Sequence, residues 1–177
     1  MDTNYNNKTL VVHEGLWHAD DLFCVALWTI AGHSKYLRKD LQEAADDQIL
    51  CDQGGGDWDH HGDETLRFYP DEDGCNKMAS FGRMWEYLGP QLTPAWENIW
   101  HNQVKAICSI DCNGLFKAPI QKMVGIVEYL YQEYRSNQEM TLDESFEAAL
   151  PFAISMINSW IAKEAEQLAA EEAGKNT

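Results

Sequence analysis

Hydrophobic positions along this chain follow two rhythms. Residues 9–13 (TLVVH) and 48–51 (QILC) are short apolar runs that end in polar residues, the pattern of buried strands. The other apolar positions recur at helical spacing. Leu22, Val25, Ala26 and Trp28 predict a helix that Asp20 or Asp21 caps and that ends near Gly32. Residues 77–88 predict a second helix, stopped by Gly89-Pro90. Trp96, Ile99, Trp100, Val104 and Ile107 predict a third over 94–109, broken by the DCNG of residues 111–114. Further helices are expected over 119–135 and from 142 to about 172. The last has an apolar face of Phe146, Leu150, Ile154, Ile157, Trp160 and Ile161, a kink or split at Pro151, and a small, acidic, fraying tail after Leu168. Residues 1–7 read as a disordered arm, and 62–76, with Pro70 and Gly74, as a mobile loop.

Buried strands that deliver polar residues into loops ahead of helices predict an α/β fold. The expectation is a parallel sheet flanked by helices, with a helical C-terminal segment and functional residues at the strand ends. The 177 residues suffice for one core and are too few for two. With no internal repeat and no linker, the chain reads as a single domain over 1–177, in which 119–177 is a helical extension.

Composition and charge narrow the function classes. Hydrophobic residues make up 45% and aromatics 11%, a globular composition. The net charge of -16 disfavours long duplex nucleic acid. It leaves open a nucleotide or short oligonucleotide, because bound cations reverse the sign locally. Five cysteines without a CxxC pair argue against a disulfide framework or a thiolate zinc site and fit a reducing cytoplasm. Cys108 and Cys112, four apart, read as ordinary core or helix-end thiols. The polar N-terminus carries no signal peptide, and no apolar run approaches the ~20 residues of a membrane span, so no membrane association is expected.

Four clusters carry candidate chemistry: His13 to Asp21 (HEGLWHADD), Asp52, the Asp59-His60-His61 triplet, and Asp111 with Asn113. Imidazole nitrogen and carboxylate oxygen together suit Mn²⁺, Fe²⁺, Zn²⁺ or Mg²⁺. Each cluster alone has an ordinary reading. Asp52 ahead of Gly54, Gly55 and Gly56 makes a turn, and Asp111 serves equally as a helix-end or Asx-turn residue. The glycines either bring backbone N–H groups close to phosphate or simply make a flexible turn. Trp17 and Trp58 either stack on a base or pack behind the site. Six polar ligand candidates, in chain order at strand ends or in loops after apolar runs, shift the balance toward a metal site.

HEGLWHADD, the DQGG that begins at Asp52, and WDHHGD together resemble the DHH phosphoesterase superfamily, and most nearly its Myg-type exonuclease branch. ASFGRMWEYLG resembles the helix after the DHH loop in that branch, and IDCNG its IDNG-like stretch, so the resemblance covers residues 9–115. The chain departs from the pattern at Asp21, where the branch usually has Glu, at Gly62, where a polar residue is common, and in one residue inserted between Asp111 and Asn113.

What the resemblance implies is specific. His13, His18 and Asp52 would hold one divalent cation, and Asp20, Asp52, His60 and Asp111 a second, with Asp52 bridging and Mn²⁺ the most expected metal. His61 would face the substrate phosphate, Asp59 would orient a histidine, and Gly54, Gly55, Gly56 and Asn113 would contact substrate. The implied function is a metal-dependent phosphohydrolase acting on phosphodiester bonds of nucleotides or short nucleic acids. The alternative is a non-catalytic metal- or nucleotide-binding regulatory protein on the same scaffold. Superfamily members usually carry a second, C-terminal domain that grips substrate with basic residues, and no room for it follows Asp111. Lys77, Arg83, Lys117 and Lys122 are the candidate replacements, or a second subunit of a homodimer.

Overall fold

A computed structural model describes residues 5, 7–56, 58–61, 68–71, 74–113 and 139–175. Of residues 68–71, 74–77 and 113 only the backbone is described. The chain is α/β. Strand β1 (Thr9–Val12) is the centre of a three-stranded parallel sheet, between β2 (Tyr36–Arg38) and β3 (Gln48–Leu50). Val11 lies opposite both Leu37 and Leu50. Leu10, Val11 and Val12 are wholly buried, as their continuous apolar run requires. Parallel neighbours need a crossover, and α1 (Ala19–Ile30) supplies the first one. β2 went unread in the sequence because Tyr-Leu-Arg is short, half-exposed and without an apolar run.

The helix cap expected at Asp20 or Asp21 is His18 instead. Asp21 folds back to accept the His18 backbone N–H at 3.0 Å, the reciprocal half of a capping box. Asp20 is free to point away, toward the helix that begins at Ser80.

The described part of residues 62–76 is an antiparallel hairpin, β4 (Phe68–Asp71) with β5 (Gly74–Lys77), and the rest of that expected loop lies outside the described residues. Because β5 takes up Lys77, helix α2 (Ser80–Leu92) starts later than expected. It also runs through Gly89-Pro90, where the proline sits in the last turn and costs only one hydrogen bond. Next come α3 (Trp96–Ile99), a π-helical turn (Trp100–Val104) and α4 (Lys105–Asn113). The break expected at 111–114 does not interrupt the helix through Asn113: Asp111, Cys112 and Asn113 form the last turn of α4, and Gly114 lies outside the described residues.

The long helix (Leu142–Lys175) is one element, not split at Pro151, and it stays helical through the tail expected to fray after Leu168. Phe146, Ala149, Leu150, Ala153, Ile157 and Trp160 are buried at three- and four-residue spacing. Burial on both flanks holds the helix across the hydrogen bond that Pro151 removes, and Pro151 itself is exposed. Ile154 and Ile161 of the expected face are only partly buried. The helix expected over 119–135 lies outside the described residues.

Helix α1 packs against β1, α2, α4 and the long helix. Phe23 stacks on Trp160 with centroids 5.6 Å apart. Tyr5 belongs to this packing and not to a disordered arm: its ring lies 5.2 Å from both Trp58 and Tyr87. No described helix is long and apolar enough to cross a membrane. None of Cys24, Cys51, Cys108 and Cys112 forms a disulfide.

Candidate metal centre

The polar clusters converge just beyond the ends of β1 and β3, where an open parallel sheet places its ligands. His13 follows β1. Asp52 follows β3 by two residues and adopts φ +60, a left-handed conformation. Aspartate tolerates that region better than most side chains, at a cost of roughly 1 kcal/mol or more. The strain is held in place by an Asp52 N–H donated to the Trp58 carbonyl at 3.1 Å. It aims the two carboxylate oxygens at different partners.

On one side His13 Nε2 lies 2.9 Å from Asp21 Oδ2 and 3.7 Å from Asp52 Oδ2. His18 completes this group, and its ligand atom lies within 4.8 Å of those of His13, Asp21 and Asp52. On the other side His60 Nδ1 lies 2.8 Å from Asp52 Oδ1. His60 Nε2 lies 3.2 Å from Asp111 Oδ2. One carboxylate, Asp52, thus touches both histidine groups. Ser80 Oγ joins it, donating to Asp52 Oδ1 at 3.1 Å and lying 3.1 Å from His60 Nδ1.

Asp20 sits beneath. Its Oδ2 accepts the Ser80 N–H at 3.0 Å and its Oδ1 the Phe81 N–H at 2.8 Å, so it closes the N-terminus of α2. Its Oδ2 is 3.9 Å from His60 Nδ1. Asp20, expected with Asp52, His60 and Asp111, belongs to no close donor group among the described residues, whereas Asp21 stands with His13, His18 and Asp52.

The electrostatics call for positive charge. Burial, with the negative charge of Asp111 and Asp52, drives the Asp20 carboxyl well above its ordinary range. Burial raises Asp21 too, although the hydrogen bond from His13 works against it. Asp111 rises to about 6, first through burial and then through Asp52. The hydrogen bond to Asp21 lifts His13 to about 9. For His60, burial opposes the charge, but the bond to Asp52 and the surrounding carboxylates raise it. Asp21 Oδ1 is buried with no hydrogen-bond partner, an arrangement that costs about 1–3 kcal/mol or more for a charged group. A crowd of buried carboxylates, two of their imidazole partners and an orphaned carboxylate oxygen fit divalent cations of the Mn²⁺, Fe²⁺, Zn²⁺ and Mg²⁺ type.

The remaining expected residues divide by position. The His61 side chain is 59% exposed at the mouth, with Nδ1 2.8 Å from Asp59 Oδ1. Asp59 also accepts the Gly55 N–H at 2.7 Å and the His61 N–H at 2.9 Å. Burial works against its charge, and these bonds hold its carboxyl below the usual range. The buried Arg83 donates to the Asp59 carbonyl, tying the triplet to α2. The glycines serve the turn. Gly55 spends its N–H on Asp59, and a Cβ on Gly54 would stand 2.3 Å from Leu50 Cδ1. Trp17 and Trp58 are buried and pack behind the centre. The Asn113 and Lys77 side chains, Lys117 and Lys122 lie outside what is described.

Sequence reading missed Asp21, Ser80 and Cys112. Asp21 had a signal in its three-residue spacing from His18. Ser80 had only its place at a helix start. Cys112, read from sequence as an ordinary core or helix-end thiol, shares a third potential donor group with His60 and Asp111. No protein-family model, curated protein or solved structure matches the chain.

Proposed function

We propose that the chain is a metal-dependent phosphohydrolase acting on phosphodiester bonds of nucleotides or short nucleic acids. The observation that carries this reading is the Asp52 carboxylate, with Oδ2 toward His13 and Oδ1 toward His60. His13, His18, Asp21 and Asp52 would hold one cation, and His60 and Asp111 another, with Asp52 linking the two positions through its contact with His60 Nδ1. When bound, such a pair supplies a water acidified toward neutrality and neutralises charge building on phosphoryl oxygens.

The chain's own groups do the rest. Asp59 holds His61 Nδ1, which fixes the ring and leaves its far edge toward solvent. From the mouth, His61 can hydrogen-bond a non-bridging phosphoryl oxygen or hand a proton to the leaving oxygen. The net charge of -16 favours a small substrate over a long duplex. Cysteines that form no disulfide fit a reducing compartment such as the cytoplasm.

The test is a Mn²⁺-supplemented screen against pyrophosphate, cyclic dinucleotides, dinucleotides and single-stranded oligomers. Hydrolysis should appear with the wild type and vanish in Asp52→Asn and His60→Ala, both with unchanged circular dichroism. Mn²⁺ binding without turnover of any of these would favour the non-catalytic alternative.

A further inference from the structure

Cys112 lies in the last turn of α4, beside Asp111 and partly buried at the edge of the core. His60 presents its two nitrogens to different neighbours. Nδ1 lies 2.8 Å from Asp52 Oδ1, and Nε2 lies 3.2 Å from Asp111 Oδ2. Donating Nδ1–H to Asp52 leaves the Nε2 lone pair facing α4, the arrangement by which a carboxylate orients a ligating histidine. Ligand atoms of His60, Asp111 and Cys112 all lie within 4.8 Å of one another. Nitrogen, oxygen and sulfur donors are therefore near enough to share one ion, and the His60 and Asp111 side chains are only 10% exposed. Cys24, Cys51 and Cys108 belong to no such donor group among the described residues.

We infer that His60, Asp111 and Cys112 form a mixed nitrogen, oxygen and sulfur position for a borderline cation, Zn²⁺, Fe²⁺ or Co²⁺, in place of an all-nitrogen-and-oxygen position. The inference rests on the metal-site reading above and sharpens it. A thiolate donor discriminates against Mg²⁺, which prefers oxygen, and favours softer ions. As the metal–sulfur bond forms, the S–H bond of Cys112 breaks and its proton passes to solvent. The two halves of the centre then differ. The His13 side offers only imidazole and carboxylate, whereas the α4 side adds sulfur.

Co²⁺ titration of the whole chain reads this directly. The wild type should show the visible d–d bands of bound cobalt together with a near-ultraviolet sulfur-to-cobalt charge-transfer band. Cys112→Ser should lose the charge-transfer band and keep the d–d bands, and Cys112→His should recover affinity without the charge-transfer band. Loss of an outer-shell partner already costs about 10–100-fold in metal affinity, so Zn²⁺ should bind Cys112→Ser at least ~10-fold more weakly. Cobalt binding to the wild type without the sulfur band, or a band that survives in Cys112→Ser, overturns the Cys112 assignment and leaves the metal site standing. A wild type that takes up neither Co²⁺, Zn²⁺ nor Mn²⁺ overturns the site itself, and this inference with it.

Discussion

Trp17 donates its indole N–H to Ser145 Oγ at 2.8 Å, joining positions 128 residues apart. The bond ties the loop between His13 and His18 to the long helix. Arg38 reinforces it by donating to the Gly15 carbonyl at 2.7 Å and to Asp143. Ser145→Ala removes the acceptor of this buried bond and should cost about 1 kcal/mol. The expected result in urea unfolding is a lower midpoint with an unchanged slope. Mn²⁺ affinity should fall as well, because the loop that carries both histidines loosens. An unchanged midpoint would show the bond to be expendable.

Asp52→Asn separates folding from metal binding. Asparagine tolerates the left-handed backbone at this position, so the turn survives, and one buried negative charge disappears. The metal-free variant should melt at a higher temperature than the metal-free wild type. Saturating the wild type at 100 times Kd should add about 2.7 kcal/mol, and the same Mn²⁺ concentration should add almost nothing to the variant. Calorimetric scans with and without Mn²⁺ provide both comparisons.

The metal-free protein should lose stability as pH rises. An aspartate whose folded pKa lies above its unfolded value stabilises below the unfolded value and loses that contribution through the folded one. For Asp111 the window runs from 3.8 to about 6. Asp20 and Asp21 shift the same way. His13, raised from 6.5 to about 9, also stabilises when protonated and loses that contribution through about 9. Asp59 is shifted the opposite way, and its loss falls below 3.8. Chemical denaturation in chelator should therefore give lower stability at pH 8 than at pH 5. Saturating Zn²⁺ or Mn²⁺ should flatten or reverse the slope, because binding needs deprotonated ligands.

Gly54 and Gly55 provide a matched pair of substitutions. Both have positive φ, +74 and +70. A Cβ on Gly54 would collide with Leu50, whereas one on Gly55 meets open space. Gly55→Ala should cost only the backbone term of roughly 1 kcal/mol. Gly54→Ala should cost more, since the buried Leu50 side chain must also move aside while the Gln42 carbonyl stands 3.3 Å away. Equal thermal shifts for the two variants would contradict the close contact.

Residues whose role is set within a few positions were legible in sequence. TLVVH had to be a buried strand, and the His13, His18, Asp52 and His60 clusters do meet at the strand ends. The three-four spacing of the long helix held even across Pro151, because tertiary burial outweighs one lost bond. What stayed hidden depends on partners far along the chain. Nothing near Asp20 announces that its carboxylate closes a helix starting at Ser80. Nothing in Tyr36–Arg38 marks a strand until Val12 pairs with Arg38. Asp21 joins His13 and His18 because α1 is capped at His18, ahead of the expected Asp20 or Asp21, which places Asp21 in the first turn and turned back toward the loop.

The π turn at Trp100–Val104 leaves the phase of everything after it unchanged. An α-helix turns about 100° per residue, and a π turn accommodates one extra residue without breaking the rod. The extra residue is absorbed inside the turn, because five residues of π winding sweep about the same angle as four of α winding. Deleting one residue from the widened turn should therefore leave Asp111 and Cys112 facing His60 and cobalt uptake intact. One alanine added within α4 ahead of Asp111 has no such slack and swings both side chains about 100° around the axis. The expected outcome is unaltered helix content and no cobalt uptake on the α4 side, so the π turn is the one place on this rod where a change of length is silent.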